Sequence, residues 1–282
     1  MARHSRRTFL SSSLLAGAAA RIEGRSYGFR IGVTDWNLRQ SGKVEAVALA
    51  ARLGFDGVEV SLGRKPLGNK LPLDDAALQQ QYLAAAKQHG IRLAGTCLDI
   101  LHVNHLKNDK LGQKWVADGI PITRNLNARV MLLPFFGKAA IETRAEQDYV
   151  ASFLREIGPE AEKAGVLLGI EDTISAEDNA RIMETSRSKA VRTYYDIGNS
   201  TNAGFDPARE IRWLGKKRIC QIHLKDNPNY LGEGKIDLGR VLKAIRETGY
   251  DGFANLETSS PSNNIEADMK RNLTYVLRLL GA

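Results

Sequence analysis

The sequence predicts a single (β/α)8 TIM barrel preceded by an N-terminal export signal. Short apolar runs bounded by turn formers alternate with helical stretches, and glycines recur just before the runs, as in Leu53-Gly-Phe55, Ala164-Gly-Val166 and Thr248-Gly-Tyr250. Four runs in the second half each end on a metal-binding side chain: Val166–Ile170 on Glu171, Thr193–Tyr195 on Asp196, Ile219–Ile222 on His223 and Phe253–Leu256 on Glu257. Spacings of 25, 27 and 34 residues between those side chains leave room for one helix between each pair of strands. Parallel strands joined by helices place their carboxyl ends on one face, so the four side chains are expected to converge there.

The remaining elements fall in the same order. Phe29–Val33 reads as strand one, followed by an Ala-rich helix from Val44 to Leu53 that Gly54 ends. Gly57–Val60 is strand two, and Gly63–Pro72 is a loop before a helix that starts at Leu73 with aspartates near its positive end and runs to His89. Ile91–Cys97 is strand three, and a helix through Trp115 to Leu126 leads to strand four at Arg129–Pro134. Ala145–Ala164, Glu177–Arg187, Asp206–Leu214 and Ile236–Arg246 are the next four helices, with Pro207 suited to a first turn. A last helix, Ile265–Leu280, closes the chain.

Length and composition agree with one soluble domain over residues 26–282. The content is 43% apolar and 26% charged, and no interior stretch approaches the ~18 uninterrupted apolar residues of a membrane helix. Residues 1–20 are different: Ser5-Arg-Arg-Thr-Phe-Leu10 followed by a small, apolar, Ala-rich run has the form of a twin-arginine signal, with export to the periplasm expected. Its removal takes Arg3, Arg6 and Arg7 and no acid, so the formal charge of +8 becomes +5. The cations of the rest are spread along the chain, which speaks against a nucleic-acid surface, and no membrane anchor is expected once the signal is gone. Cys97 and Cys220 sit in apolar strands, and buried packing on distant parts of the barrel is expected for them.

Glutamate, aspartate, histidine and glutamate form a mixed oxygen and nitrogen set that suits one divalent ion, Mn²⁺, Mg²⁺, Co²⁺ or Zn²⁺. The absence of thiolates points to a catalytic rather than a structural metal site. Taken singly, Glu171 could cap a helix, Asp196 could begin a turn and His223 could be a satisfied core histidine. Taken together, independent structural residues would rarely share one register at four successive strands. Lys225 lies close enough to offset part of the negative charge.

The segments Gly169-Ile-Glu-Asp172, Tyr195-Asp-Ile-Gly-Asn199, His223-Leu-Lys-Asp226, Leu231-Gly-Glu-Gly-Lys-Ile-Asp237 and Asn255-Leu-Glu-Thr258 together resemble the xylose isomerase-like barrel superfamily. Within it they are most similar to the sugar phosphate isomerase/epimerase group, which includes ketose 3-epimerases and inosose dehydratases. The resemblance implies one divalent ion, usually Mn²⁺ or Mg²⁺, held by Glu171, Asp196, His223 and Glu257, with Glu171 and Glu257 doubling as acid and base. It implies proton abstraction beside a polarised carbonyl, through an enediolate, on a small sugar or keto-sugar. Asn199 stands where the epimerases often carry histidine, and Asn229 where they carry a substrate-binding arginine, so a metal-dependent lyase or dehydratase acting on 3-keto-sugars or glycosides is the alternative.

Substrate contacts are expected from Trp36 by stacking, from His102, and from Asn199 and Lys225. Glu59 lies in strand two, and His105 shares the rim with His102. An abasic-site endonuclease of the same superfamily would need a histidine in place of Asn199 and a His-x-His pair on strand seven, which this chain lacks. A non-catalytic sugar-binding barrel is the remaining option, and self-association into a homo-oligomer is open.

Overall fold

The computed structural model describes residues 27–282; the expected signal at 1–20 lies outside the described residues. Eight parallel strands close a barrel in sequence order: β1 (Arg30–Thr34), β2 (Gly57–Ser61), β3 (Arg92–Cys97), β4 (Val130–Pro134), β5 (Leu167–Glu171), β6 (Val191–Asp196), β7 (Ile219–Leu224) and β8 (Phe253–Leu256). The helices are α1 (Glu45–Leu53), α2 (Ala76–His89), α3 (Lys110–Asn125), α4 (Arg144–Ala164), α5 (Ala176–Ser186), α6 (Ile197–Asn202), α7 (Pro207–Arg218), α8 (Leu238–Glu247) and α9 (Ile265–Leu280). None of the described helices is long and apolar enough to cross a membrane.

Local chemistry sets the helix ends. Gly54, Gly90 and Gly165 all stop their helices in the left-handed conformation, each donating its N–H back to the last turn. Thr143 and Glu146 form a reciprocal capping box at the start of α4, and Asp75, Ser175, Asp206, Asp237 and Asn264 cap the starts of α2, α5, α7, α8 and α9. Asp75 explains one departure from the sequence pattern: Pro72–Asp74 is a separate 3-10 turn, so α2 begins at Ala76 rather than at Leu73. A second departure is α6, which the sequence did not suggest. It exists because the Asp196 carboxylate accepts the Asn199 N–H at 2.7 Å and caps six residues of weak helix propensity.

Between helices and strands lies one continuous apolar core, including Val47, Tyr82, Ile120, Leu154, Ile211 and Val276. The barrel interior is different, because small and polar residues alternate inward there. Cys97 and Cys220 are both free, buried and part of one small interior cluster with Val130, Leu132 and Tyr194, which corrects the expectation that they lie on distant parts of the barrel. Strands three and seven are well separated in sequence, but a narrow barrel brings inward side chains together across its axis.

Glycine makes that polar interior fit. A Cβ on Gly32 would meet Asn255 Oδ1 at 2.0 Å, and one on Gly169 would lie 2.9 Å from Cys220 Sγ and 3.0 Å from Tyr194 Cβ. Gly32→Ala is therefore expected to cost about 1–3 kcal/mol in chemical denaturation, since Asn255 must leave its place. Gly239→Ala on α8, where a Cβ meets only ordinary contact, serves as the control. Equal destabilisation by the two substitutions would show that the interior yields freely.

Candidate metal centre at the carboxyl ends of strands five to eight

Each expected ligand arrives where its strand ends. Glu171 and Asp196 are the last residues of β5 and β6, His223 is the penultimate residue of β7, and Glu257 follows β8 directly. One ligand atom from each of the four lies within 4.8 Å of the others. His223 Nδ1 is 2.9 Å from Glu171 Oε1, 3.5 Å from Glu257 Oε2 and 3.6 Å from Asp196 Oδ2. An ion with oxygen and nitrogen ligands at about 2.1 Å needs donor spacings of about 3–4 Å, so the donor set and its spread fit one divalent cation.

The electrostatics give the same answer. Three carboxylates converge, two of them buried, and burial pushes the Glu171 carboxyl up to about 8, with Glu257 and Asp196 adding to the rise against the pull of His223. His223 loses from burial, yet the surrounding carboxylates Glu257, Glu171 and Glu59 hold its pKa well above the ordinary value. Asp196 also feels burial, but Lys225 and His223 outweigh it and keep its carboxyl well below the usual range. The cluster thus gathers every positive charge within reach: the Lys225 ammonium is 2.8 Å from Asp196 Oδ2 and 2.7 Å from Glu257 Oε2, and its pKa is raised although burial opposes it. Gly198 lets that lysine through, because a Cβ there would lie 2.5 Å from Lys225 Cγ.

The other expected contacts divide into two groups. Trp36 is at the cluster, its Nε1 donating to Glu257 Oε1 at 3.0 Å and its ring 6.0 Å from that of His223. Trp36 is therefore an orienting donor for a ligand as well as a candidate sugar wall. Asn199 is adjacent and meets Asp196 through its backbone N–H. His102 lies on a 3-10 turn (Asp99–His102), stacks on Phe136 at 6.4 Å between ring centroids and makes no hydrogen bond to the cluster; burial, then Arg64, lowers its pKa. Asp226 serves the loop rather than the ligand, since it accepts the N–H groups of Gly234 and Lys235 and anchors residues 231–237 beside the site.

Sequence reasoning missed the layer beneath the ligands. Glu59, noted only as a strand-two residue, is fully buried, and its Oε2 accepts hydrogen bonds from Tyr194 OH and Asn255 Nδ2 and lies 3.0 Å from His223 Nε2. Tyr194, Gln221 and Asn255 each precede a ligand by two residues, so the period-two alternation of a strand points them inward one step lower. That offset was the available signal. On β5 the same position is Gly169, whose missing side chain makes room for Tyr194 and Cys220.

With this geometry in hand, comparison with known proteins is decisive for the family. The model of the xylose isomerase-like TIM barrel matches residues 47–279. The chain belongs to this family. A curated relative, 2-epi-5-epi-valiolone 7-phosphate 2-epimerase from an Actinoplanes species, is 28% identical over 224 residues, covering 77% of this chain and 82% of the relative. A solved structure of D-psicose 3-epimerase with D-tagatose from Clostridium cellulolyticum superposes with a TM-score of 0.75 at 16% identity, over 89% of this chain and 99% of that one. A 3-keto-D-glucoside 4-epimerase from E. coli gives 0.69 at 16% identity, over 89% and 99%. These two likenesses show that this member of the family shares the epimerase fold.

Protons and a metal compete for this cluster, and the competition is measurable. A carboxyl whose folded pKa exceeds its unfolded value binds more protons when folded, so stability falls as pH rises between the two values. In the metal-free protein Glu171, moved from 4.5 to about 8, and half-buried Asp172, moved from 3.8 to about 7, both act in this sense. The metal-free Tm is expected to fall from about pH 5 to about pH 8, and saturating Mn²⁺ is expected to flatten that slope by replacing protons. An identical slope with and without Mn²⁺ would contradict this arrangement.

Proposed function

We propose that the chain is a divalent-metal-dependent epimerase or isomerase of a sugar or keto-sugar, working by removal and return of the proton beside a carbonyl. The observation that carries this reading is the placement of two glutamates with unlike surroundings on one cluster. Glu171 is buried and enclosed against His223, its Oε1 2.9 Å from the ring Nδ1. Glu257 keeps 18% of its side chain exposed and has each oxygen met by a donor, Oε1 by Trp36 and Oε2 by Lys225. Two carboxyls in contrasting environments are the usual division between a proton donor and a proton acceptor. Glu257 takes the proton from the substrate carbon and Glu171 returns one, while Lys225 offers a cation to the oxygen that gains charge. A bound Mn²⁺ or Mg²⁺ would supply polarisation of the substrate carbonyl.

The curated epimerase relative supports the reaction class. Its phosphate-bearing substrate belongs to that protein, and the twin-arginine pattern in residues 1–20 favours unphosphorylated sugars, glycosides or their keto derivatives met in the periplasm. Lys225 also favours a second reading. An ammonium held at the cluster can protonate a departing β-oxygen, which turns the same proton abstraction into an elimination.

Incubation with a panel of ketoses and 3-keto-glycosides in heavy water tests the chemistry. Metal-dependent deuterium at the carbon beside the carbonyl of the recovered sugar is expected, and Glu257→Gln is expected to slow it by about 10²–10⁴-fold. No exchange into any panel member by metal-loaded protein overturns the proposal, and loss of water or aglycone from the labelled substrate selects the elimination. N-terminal sequencing of the protein from its native host's periplasm is expected to begin near Arg21; Met1 or Ala2 there would refute the signal.

A further inference from the structure

Three donors converge on one oxygen of Glu59 in the barrel interior: Tyr194 OH at 2.6 Å, Asn255 Nδ2 at 2.9 Å and His223 Nε2 at 3.0 Å. The direction of each bond follows from the partners. Tyr194 OH already accepts from Gln221 Nε2 and Asn255 Nδ2, both at 3.0 Å, so its own hydrogen goes to Glu59. A carboxylate oxygen that only accepts then requires a hydrogen on His223 Nε2. In the neutral ring this leaves the lone pair on Nδ1, the nitrogen facing Glu171, Asp196 and Glu257. A lone pair among three carboxylates is repulsive unless a proton or a metal cation lies between them, and a bound metal takes that place.

We infer that Glu59 is the positioning residue of the metal centre, holding His223 as the Nε2–H tautomer and presenting Nδ1 to the ion. The inference rests on reading the four-residue cluster as a metal site. Carboxylate partners of this kind orient a ligating imidazole and raise its basicity.

Two further observations separate this role from mere interior packing. Glu59 Oε1 is buried and has no hydrogen-bond partner among the described residues, a poor arrangement for a carboxylate placed for stability alone. The strand pairing shifts register between Val58 and Glu59 where β2 meets β3, and between Thr193 and Tyr194 where β6 meets β7. Each break admits one extra residue on the neighbouring strand, Ala94 on β3 and Cys220 on β7, so the ladder is irregular beside both Glu59 and Tyr194.

The test uses the full chain, stripped of metal. Calorimetric titration with Mn²⁺ is expected to show one tight site in the wild type, an affinity about 10–100-fold weaker in Glu59→Met, and most of it restored in Glu59→Gln, whose amide oxygen still accepts from Nε2–H. Tyr194→Phe, which keeps the Glu59–His223 bond, is expected to stay close to wild type. Nitrogen-15 NMR of the Zn²⁺-loaded wild type is expected to show His223 protonated on Nε2 and coordinated through Nδ1, a readout that needs no variant to fold. Coordination through Nε2, or unchanged affinity in a folded Glu59→Met, overturns the role of Glu59 while leaving the metal site standing. A wild type that takes up neither ion overturns both.

Discussion

Three carboxylates and an imidazole brought to one point are an arrangement that the protein part alone does not neutralise. Lys225 and a protonated His223 supply two positive charges against Glu171, Asp196, Glu257 and, one layer down, Glu59. Like charges so close and so dry repel strongly, and the repulsion is eased either by a retained proton or by a cation. Much of the surrounding architecture follows from that constraint. Gly198 clears a path for the Lys225 stem, Trp36 spends its indole N–H on Glu257, and the α6 N-terminus, with its positive end, is set directly on Asp196.

The barrel divides the labour between its two surfaces. Outside, an apolar core joins helices to strands and carries the stability of the fold. Inside, polar side chains are stacked in layers, with the cluster at the mouth and Glu59, Tyr194, Gln221 and Asn255 beneath it. Glycines at 32 and 169 provide the room for this polar layer. The support thus lies below and partly exposed groups, Glu257 and Trp36, lie above, which suits the proposed proton transfer.

How much of this was legible in the chain follows from period and position. The convergence of Glu171, Asp196, His223 and Glu257 was readable because each is a charged or imidazole side chain at the end of an apolar run, and because parallel topology sends all such ends to one face. Glu59 was not, since one acid between Val58 and Val60 carries no mark of its partner 164 residues away. Only the two-residue offset that places Tyr194, Gln221 and Asn255 below the ligands would have revealed the lower layer. The separation expected for the two cysteines failed for a related reason: strand number measures distance around the wall and says little about distance across the interior. His102 shows the limit of rim arguments. Its loop reaches the rim, where its ring lies against Phe136 rather than in the cluster.

The central claim is that one divalent ion joins Glu171, Asp196, His223 and Glu257. Crystals of the protein loaded with Mn²⁺, measured on both sides of the manganese absorption edge, test it most directly. One anomalous peak is expected, about 2.0–2.3 Å from a carboxylate oxygen of each acid and from Nδ1 of the histidine. An empty cluster with Lys225 still bridging Asp196 and Glu257, or a peak bound elsewhere, would contradict the account.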